Sequence, residues 1–166
     1  DCLAGSGKAI PFDRESGGCL LGEAGVIMIL ERESHAVSRD AHILAEVGGY
    51  GFSFEPSLPG RIRPSHRGAQ IAMRNTLDAA GMHMGEIDLI SAGANGNRLT
   101  DKRELKAIRE LADGGGFQGH ITSIKSLTGE CYGASGAGQM AAAVVSLNDG
   151  YIPPVRNFAR SWEPEL

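Results

Sequence analysis

Two cysteines are the residues of this sequence best suited to nucleophilic chemistry. Cys131 lies in a glycine-rich loop directly after Glu130, and Cys19 begins an apolar segment. The thiolate is the reactive form of cysteine, and burial or a neighbouring carboxylate raises the pKa of the thiol and makes it less reactive. We therefore interpret Cys19 as a buried structural thiol and Cys131 as the better candidate for a nucleophile.

Other patterns that resemble cofactor or metal sites are incomplete. Residues 5–8 resemble the end of a phosphate-binding loop, but that pattern requires a glycine at Cys2 and a serine or threonine at Ala9. Residues 133–138 resemble a dinucleotide-binding turn only loosely, and glycines that permit close helix packing are the alternative. The histidines, which have no metal-binding spacing, are His35, His42, His66, His83 and His120. The sequence predicts no cofactor and no metal site.

Length and charge exclude several classes of function. The 166 residues suffice for one domain, and the formal net charge of −4 with no basic run gives no support for a nucleic-acid or anionic membrane surface. No segment approaches the roughly 20 apolar residues that span a bilayer, and the first residues lack the order of a signal peptide. The three cysteines are widely spaced, as in proteins with reduced thiols. We expect a cytoplasmic protein with neither nucleic acid nor membrane among its partners.

Apolar segments of alternating kind must position the polar loops. Branched apolar runs predict strands, three- and four-residue spacing predicts helices, and glycine or proline separates them. Asp101 and Glu104 resemble a capping box at the start of one helix. The alternation predicts an α/β sheet with helices on its faces and functional loops at the carboxyl ends of the strands. The predicted strands are 25–30, 41–47, 87–92 and 120–125, the helices 65–80, 101–112 and 133–148, an irregular loop 53–64, and an edge strand or extended exit 151–155.

Several sequence blocks, in their order along the chain, resemble the carboxyl-terminal part of β-ketoacyl-acyl carrier protein synthases of the thiolase fold. That fold consists of two similar βαβαβ halves, so the resemblance implies that residues 1–40 end the N-terminal half. Residues 41–166 would then form the C-terminal half without its final hairpin. Chains of this family are more than twice as long, so we expect either a fragment of a longer polypeptide or assembly with a separately made N-terminal half. The blocks are Pro11-Phe12-Asp13, Gly22-Glu23-Ala24-Gly25, Val47-Gly48-Gly49-Tyr50-Gly51, Ile124-Lys125-Ser126-Leu127-Thr128-Gly129, Gly133-Ala134-Ser135-Gly136-Ala137 and Tyr151-Ile152-Pro153-Pro154.

The family's two histidines are absent from the matching positions. In the β-ketoacyl synthases that this chain resembles, motifs of the form HGT and TGH supply histidines that assist decarboxylation and hold the thioester oxygen. Here Gly93 and Glu130 stand at those positions, whereas Lys125 matches the family lysine. Glycine has no side-chain donor, and a carboxylate would repel the enolate that decarboxylation generates. We therefore predict no catalytic residue, and we hypothesise that an ion pair between Lys125 and Glu130 fills the degenerate site.

The loss of both histidines resembles the chain length factor of type II polyketide synthases, as does the loop at residues 51–56. The resemblance implies a catalytically inactive subunit that forms a heterodimer with a ketosynthase, receives chains from an acyl carrier protein and shapes the polyketide tunnel. One alternative is a divergent active synthase or acyltransferase of the same fold that uses Glu130 or Cys131. Another is a docking module for the acyl carrier protein that has no influence on product length.

Overall fold

The computed structural model describes residues 3–54 and 65–162. Most of the loop predicted at 53–64 therefore lies outside the described residues. The helices are α1 (Glu33–Ser38), α2 (Arg67–Ala80), α3 (Arg98–Gly115), α4 (Lys125–Thr128) and α5 (Ser135–Asp149), the strands are β1 (Leu89–Ser91) and β2 (His120–Thr122), and short 3-10 turns cover Met84–Glu86 and Tyr132–Ala134.

The centre of the fold is a βαβ unit. Strands β1 and β2 pair in parallel with Ile90 opposite Ile121, and α3 makes the crossover between them. The side chains of Ile108 and Leu111 on α3 are buried against Met84, together with apolar residues of α2 and β1. Because both strands run in the same direction, the loops that follow β1 and β2 lie at one edge of the sheet.

The three long helices predicted from the sequence are confirmed, although their bounds shift by a few residues. Helix α2 ends at Gly81, which adopts the left-handed conformation (φ 65°) common after helices. Helix α3 begins three residues before the predicted start because Asn97 caps it, accepting hydrogen bonds from the N–H groups of Leu99 and Thr100. Asp101 and Glu104 therefore do not form a capping box, and their carboxylates face the loop after β1.

The strands predicted at 25–30 and 41–47 have no ladder partner in the described part of the chain. Ile27 is 92% exposed and Ile29 86% exposed, so these apolar residues have no covering layer. A segment becomes a β-strand only by hydrogen-bonding to a neighbouring strand, so an apolar pattern within one segment is not sufficient. Residues 151–155 likewise form no ladder in the described part of the chain, as their two prolines favour.

The segment at 48–54 lies flat against α2. A Cβ atom on Gly49 would come within 2.7 Å of the Thr76 carbonyl oxygen, and one on Gly51 within 2.2 Å of the Ala72 carbonyl oxygen. This close approach turns the alternate side chains outward. They form an aromatic strip of Tyr50, Phe52 and Phe54, which are 77%, 79% and 87% exposed.

A carboxylate joins the two ends of the described chain. Asp13, which is almost fully buried, accepts hydrogen bonds from the N–H groups of Ala159 (2.7 Å) and Arg160 (2.8 Å). Arg14 extends this contact by donating from Nε to the carbonyl of Ser161.

No helix within residues 3–54 and 65–162 combines the length and apolar character needed to cross a membrane.

Candidate functional site

The carboxylate of Glu130 is surrounded by four hydrogen-bond donors. Lys125 Nζ and Asn95 Nδ2 each donate to Oε2 at 2.8 Å. Ser135 Oγ donates to Oε1 at 2.7 Å, and the N–H of Tyr132 donates to the same oxygen at 3.0 Å. A carboxylate offers about four lone-pair positions, so the acceptor capacity of Glu130 is used within the protein.

The predicted ion pair between Lys125 and Glu130 is confirmed, and both residues are buried (9% and 7% exposed). Burial acts to raise the pKa of Glu130, but the hydrogen bonds from Lys125, Asn95 and Ser135 outweigh it and lower the pKa to about 2. Glu130 is therefore ionised at neutral pH, and the ammonium of Lys125 balances its charge.

Two glycines, Gly129 and Gly22, allow the backbone to bring Lys125 and Glu130 together. The single turn of α4 ends at Gly129, whose φ of 75° is left-handed. Glu130 then pairs with a neighbouring segment, its N–H donating to the carbonyl of Leu20 at 2.7 Å. A Cβ atom on Gly22 would lie 1.9 Å from the carbonyl oxygen of Thr128, so this contact requires glycine.

Gly93, the other position at which the sequence analysis predicts a lost histidine, is held by a carboxylate from α3. Its N–H donates to Glu104 Oε1 at 2.7 Å, and a Cβ atom at this position would lie 3.4 Å from the same oxygen. Burial raises the pKa of Glu104, and the nearby charge of Asp101 acts in the same direction. The backbone amide of Gly93 is consequently engaged by a protein acceptor.

Asp101 fixes the loop that carries Asn95, a role that we did not predict from the sequence. The fully buried carboxylate accepts hydrogen bonds from the N–H groups of Phe12, Asn95 and Gly96 at 3.0–3.2 Å. Burial raises the pKa of Asp101, whereas these three donors act to lower it. The acidic pair on α3 was visible in the sequence, but nothing there indicated which backbone groups it would contact.

A small pocket of about 30 Å³ lies beside the ion pair, and its surface is almost entirely carbon and sulfur. Each of its polar residues makes a hydrogen bond to a protein acceptor. Cys131 Sγ lies 3.6 Å from the carbonyl oxygen of Thr128, and the hydroxyl of Thr128 lies 3.3 Å from the carbonyl oxygen of Ile124 and 3.1 Å from that of Gly129. The lining residues are Ala24, Ile124, Lys125, Thr128, Cys131, Ala134, Ser135 and Gly138. We call this cavity the Cys131 pocket.

The remaining candidates from the sequence make none of the hydrogen bonds to Glu130 described above. Cys19 is buried, in agreement with its interpretation as a structural thiol. His35 pairs with Glu31 on one exposed turn, and His66 lies 3.0 Å from Glu110. Across the described ranges, no group of three or more histidine, cysteine, aspartate or glutamate side chains is placed to hold a metal ion.

Comparisons with known proteins agree with this architecture. The family model described as the C-terminal domain of β-ketoacyl synthase matches residues 44–159. Nodulation protein E of Rhizobium sp. (strain N33) is 34% identical over 155 residues, which cover 93% of this chain and 38% of that protein. The 3-oxoacyl-[acyl-carrier-protein] synthase 2 of Mycobacterium bovis is 33% identical over 166 residues, covering 97% of this chain and 38% of the relative.

Solved structures show the same similarity. The structure titled as the ishigamide ketosynthase/chain length factor superposes with a TM-score of 0.88 at 34% identity, covering 98% of this chain and 39% of that one. A type II polyketide synthase ketosynthase in complex with its acyl-carrier protein gives a TM-score of 0.78 at 25% identity, with coverages of 93% and 38%. The chain thus spans less than two fifths of the length of these relatives. It belongs to the β-ketoacyl synthase family, and its matched residues form the C-terminal domain of that family's thiolase-like ketosynthase fold.

Proposed function

We propose that this chain is part of a chain length factor, a ketosynthase-like subunit that performs no condensation itself and shapes the tunnel of a partner ketosynthase. One observation carries the proposal: the carboxylate of Glu130 replaces an imidazole and is saturated by four protein donors. A fixed, ionised carboxylate has no proton to give and accepts no further hydrogen bond. The proposed role is therefore to maintain the shape of the site.

The chemistry of condensation supports this proposal. Decarboxylation of a malonyl thioester builds negative charge on an enolate oxygen, which enzymes stabilise with donors aimed at it. Glu130 would repel that charge, and the amide of Gly93 is already bonded to Glu104. Lys125, the nearest cation, is paired with Glu130 at 2.8 Å.

The proposed partners are a catalytically competent ketosynthase and an acyl carrier protein. Two structural neighbours are a ketosynthase/chain length factor and a ketosynthase in complex with its acyl-carrier protein. We extend those partners to the full-length protein that contains this chain. The N-terminal half of the fold, on the same or a separate polypeptide, would complete the subunit.

An active condensing enzyme is the second candidate. The 33% identity to a 3-oxoacyl-[acyl-carrier-protein] synthase 2 favours it. Such an enzyme would need Glu130 or Cys131 for its chemistry. The saturation of Glu130 and the orientation of the Cys131 thiol toward backbone carbonyls argue against both.

The test uses the full-length protein with malonyl-carrier protein, in the presence and absence of the partner ketosynthase. We expect carbon dioxide release and chain elongation only when the partner is present, and loss of both when the partner's nucleophile is removed. Elongation by the full-length protein alone would refute the proposal and support the second candidate. Replacement of tunnel-lining residues should change product length, whereas a docking module would bind the carrier protein and leave product length unchanged.

A further inference from the structure

The Cys131 pocket offers carbon surface but few hydrogen-bonding groups. Ser135 and Lys125 both donate to Glu130, at 2.7 and 2.8 Å, and Cys131 and Thr128 point their hydrogens at backbone carbonyls. Burying a carbonyl group without a partner costs free energy, whereas burying a methylene group is favourable. The pocket should therefore distinguish the two kinds of group.

The size of the pocket limits what can enter it. A volume of about 30 Å³ has room for about as much matter as one or two water molecules, or for the terminal carbon atoms of a chain. An aromatic ring is too large. Water would find few partners on the carbon-rich walls, so displacing it with an apolar group is favourable.

We propose that the Cys131 pocket binds the hydrocarbon end of a reduced acyl chain in preference to the end of a chain that carries keto groups. This inference rests on the proposed function, in which acyl chains reach the subunit through its partner. It means that the Cys131 pocket, which does no chemistry, selects chains by the oxidation level of their ends. The bound chain forms no covalent bond, and its terminal methyl group lies against Cys131, Ile124 and Gly138.

The experiment compares two probes of equal length, octanoyl-pantetheine and 7-oxooctanoyl-pantetheine, with the full-length protein in complex with its partner. We expect the oxo probe to bind roughly tenfold more weakly, because its terminal carbonyl lacks a donor. Modification of Cys131 by N-ethylmaleimide, located by peptide mass mapping, reports on occupancy of the pocket. Octanoyl-pantetheine should slow this modification, and the oxo probe at the same concentration should slow it less.

Two glycines of α5 provide a matched pair of variants. A Cβ atom on Gly138 would enter ordinary contact with Ile124 Cδ1 at 3.7 Å, whereas one on Gly136 meets nothing within 4 Å. Both substitutions add the same methyl group to the same helix. Gly138→Ala should weaken octanoyl binding about fourfold, the equivalent of one buried methylene, and Gly136→Ala should leave it unchanged.

Equal affinity for the two probes would overturn the inference, as would equal effects of the two alanine variants or a Cys131 that neither probe protects. These outcomes are separate from those of the condensation assay. Elongation by the full-length protein alone would refute the proposed function, and the binding comparison would still decide whether the pocket selects reduced chains.

Discussion

Replacing Glu130 with glutamine should destabilise the protein in a pH-dependent way. The pKa of Glu130 falls from 4.5 to about 2 in the folded state, so its ionised form stabilises the fold above pH 4.5. Since one pKa unit corresponds to about 1.4 kcal/mol, the contribution is about 3 kcal/mol at pH 7. The same two pKa values leave about 1.5 kcal/mol at pH 3, and the contribution disappears as the pH falls through 2.

Urea unfolding of the full-length protein at pH 3, 4, 5 and 7 measures this difference. Glu130→Gln also leaves the buried Lys125 without its carboxylate, so the loss at pH 7 should be about 3 kcal/mol or more. The gap between variant and parent should be about 1.5 kcal/mol smaller at pH 3 than at pH 7. Glu46→Gln, at an exposed glutamate, serves as the control and should show little difference at any pH. A Glu130→Gln deficit that is constant across the four pH values would refute the reasoning.

Three further substitutions test the scaffold around the site. Gly22→Ala should lower the free energy of unfolding by about 3 kcal/mol, measured by urea, because its Cβ would lie 1.9 Å from the Thr128 carbonyl oxygen. Asp101→Ala should cost about 3 kcal/mol or more in the same assay, because it leaves three backbone N–H groups unpaired, two of them buried. Asp13→Ala should cost roughly 2 kcal/mol and speed tryptic cleavage at Arg160, because the carboxylate holds residues 159 and 160.

Two of these substitutions have a matched comparison variant. Gly25→Ala adds a Cβ that meets nothing within 4 Å and should change stability by less than about 0.5 kcal/mol. Asp113→Ala removes an exposed carboxylate from the same helix as Asp101 and should also have little effect. If either comparison variant were as damaging as its partner, the loss could not be assigned to the contact named above. Unchanged cleavage at Arg160 in Asp13→Ala would contradict the role of Asp13.

Features encoded by short-range spacing were predictable from the sequence. The apolar faces of α2 and α3 follow helical periodicity, and Gly81 ends α2 as expected. The ion pair between Lys125 and Glu130 was predictable from the family resemblance, which matches these two residues with the family's lysine and with one of its histidines. In each case the groups that interact are neighbours along the chain.

Features that depend on distant segments were not predictable. Asn95 reaches Glu130 across 35 positions, and Asp101 reaches Phe12 across 89. The acidic spacing at 101 and 104 fitted a local capping box equally well. In the structure Asn97 caps the helix, and the Asp101 carboxylate accepts from backbone N–H groups outside it. The apolar run at 25–30 carries a strand pattern, but only a neighbouring backbone can turn that pattern into a ladder.

The strip of Tyr50, Phe52 and Phe54 has a thermodynamic consequence for whatever surface covers it. Contact with α2 through Gly49 and Gly51 already fixes the backbone beneath the three rings. Rings on alternate residues of an extended backbone are regularly spaced, about 6–7 Å apart. A complementary surface therefore meets a preorganised template, and little loss of chain freedom opposes the burial of these rings.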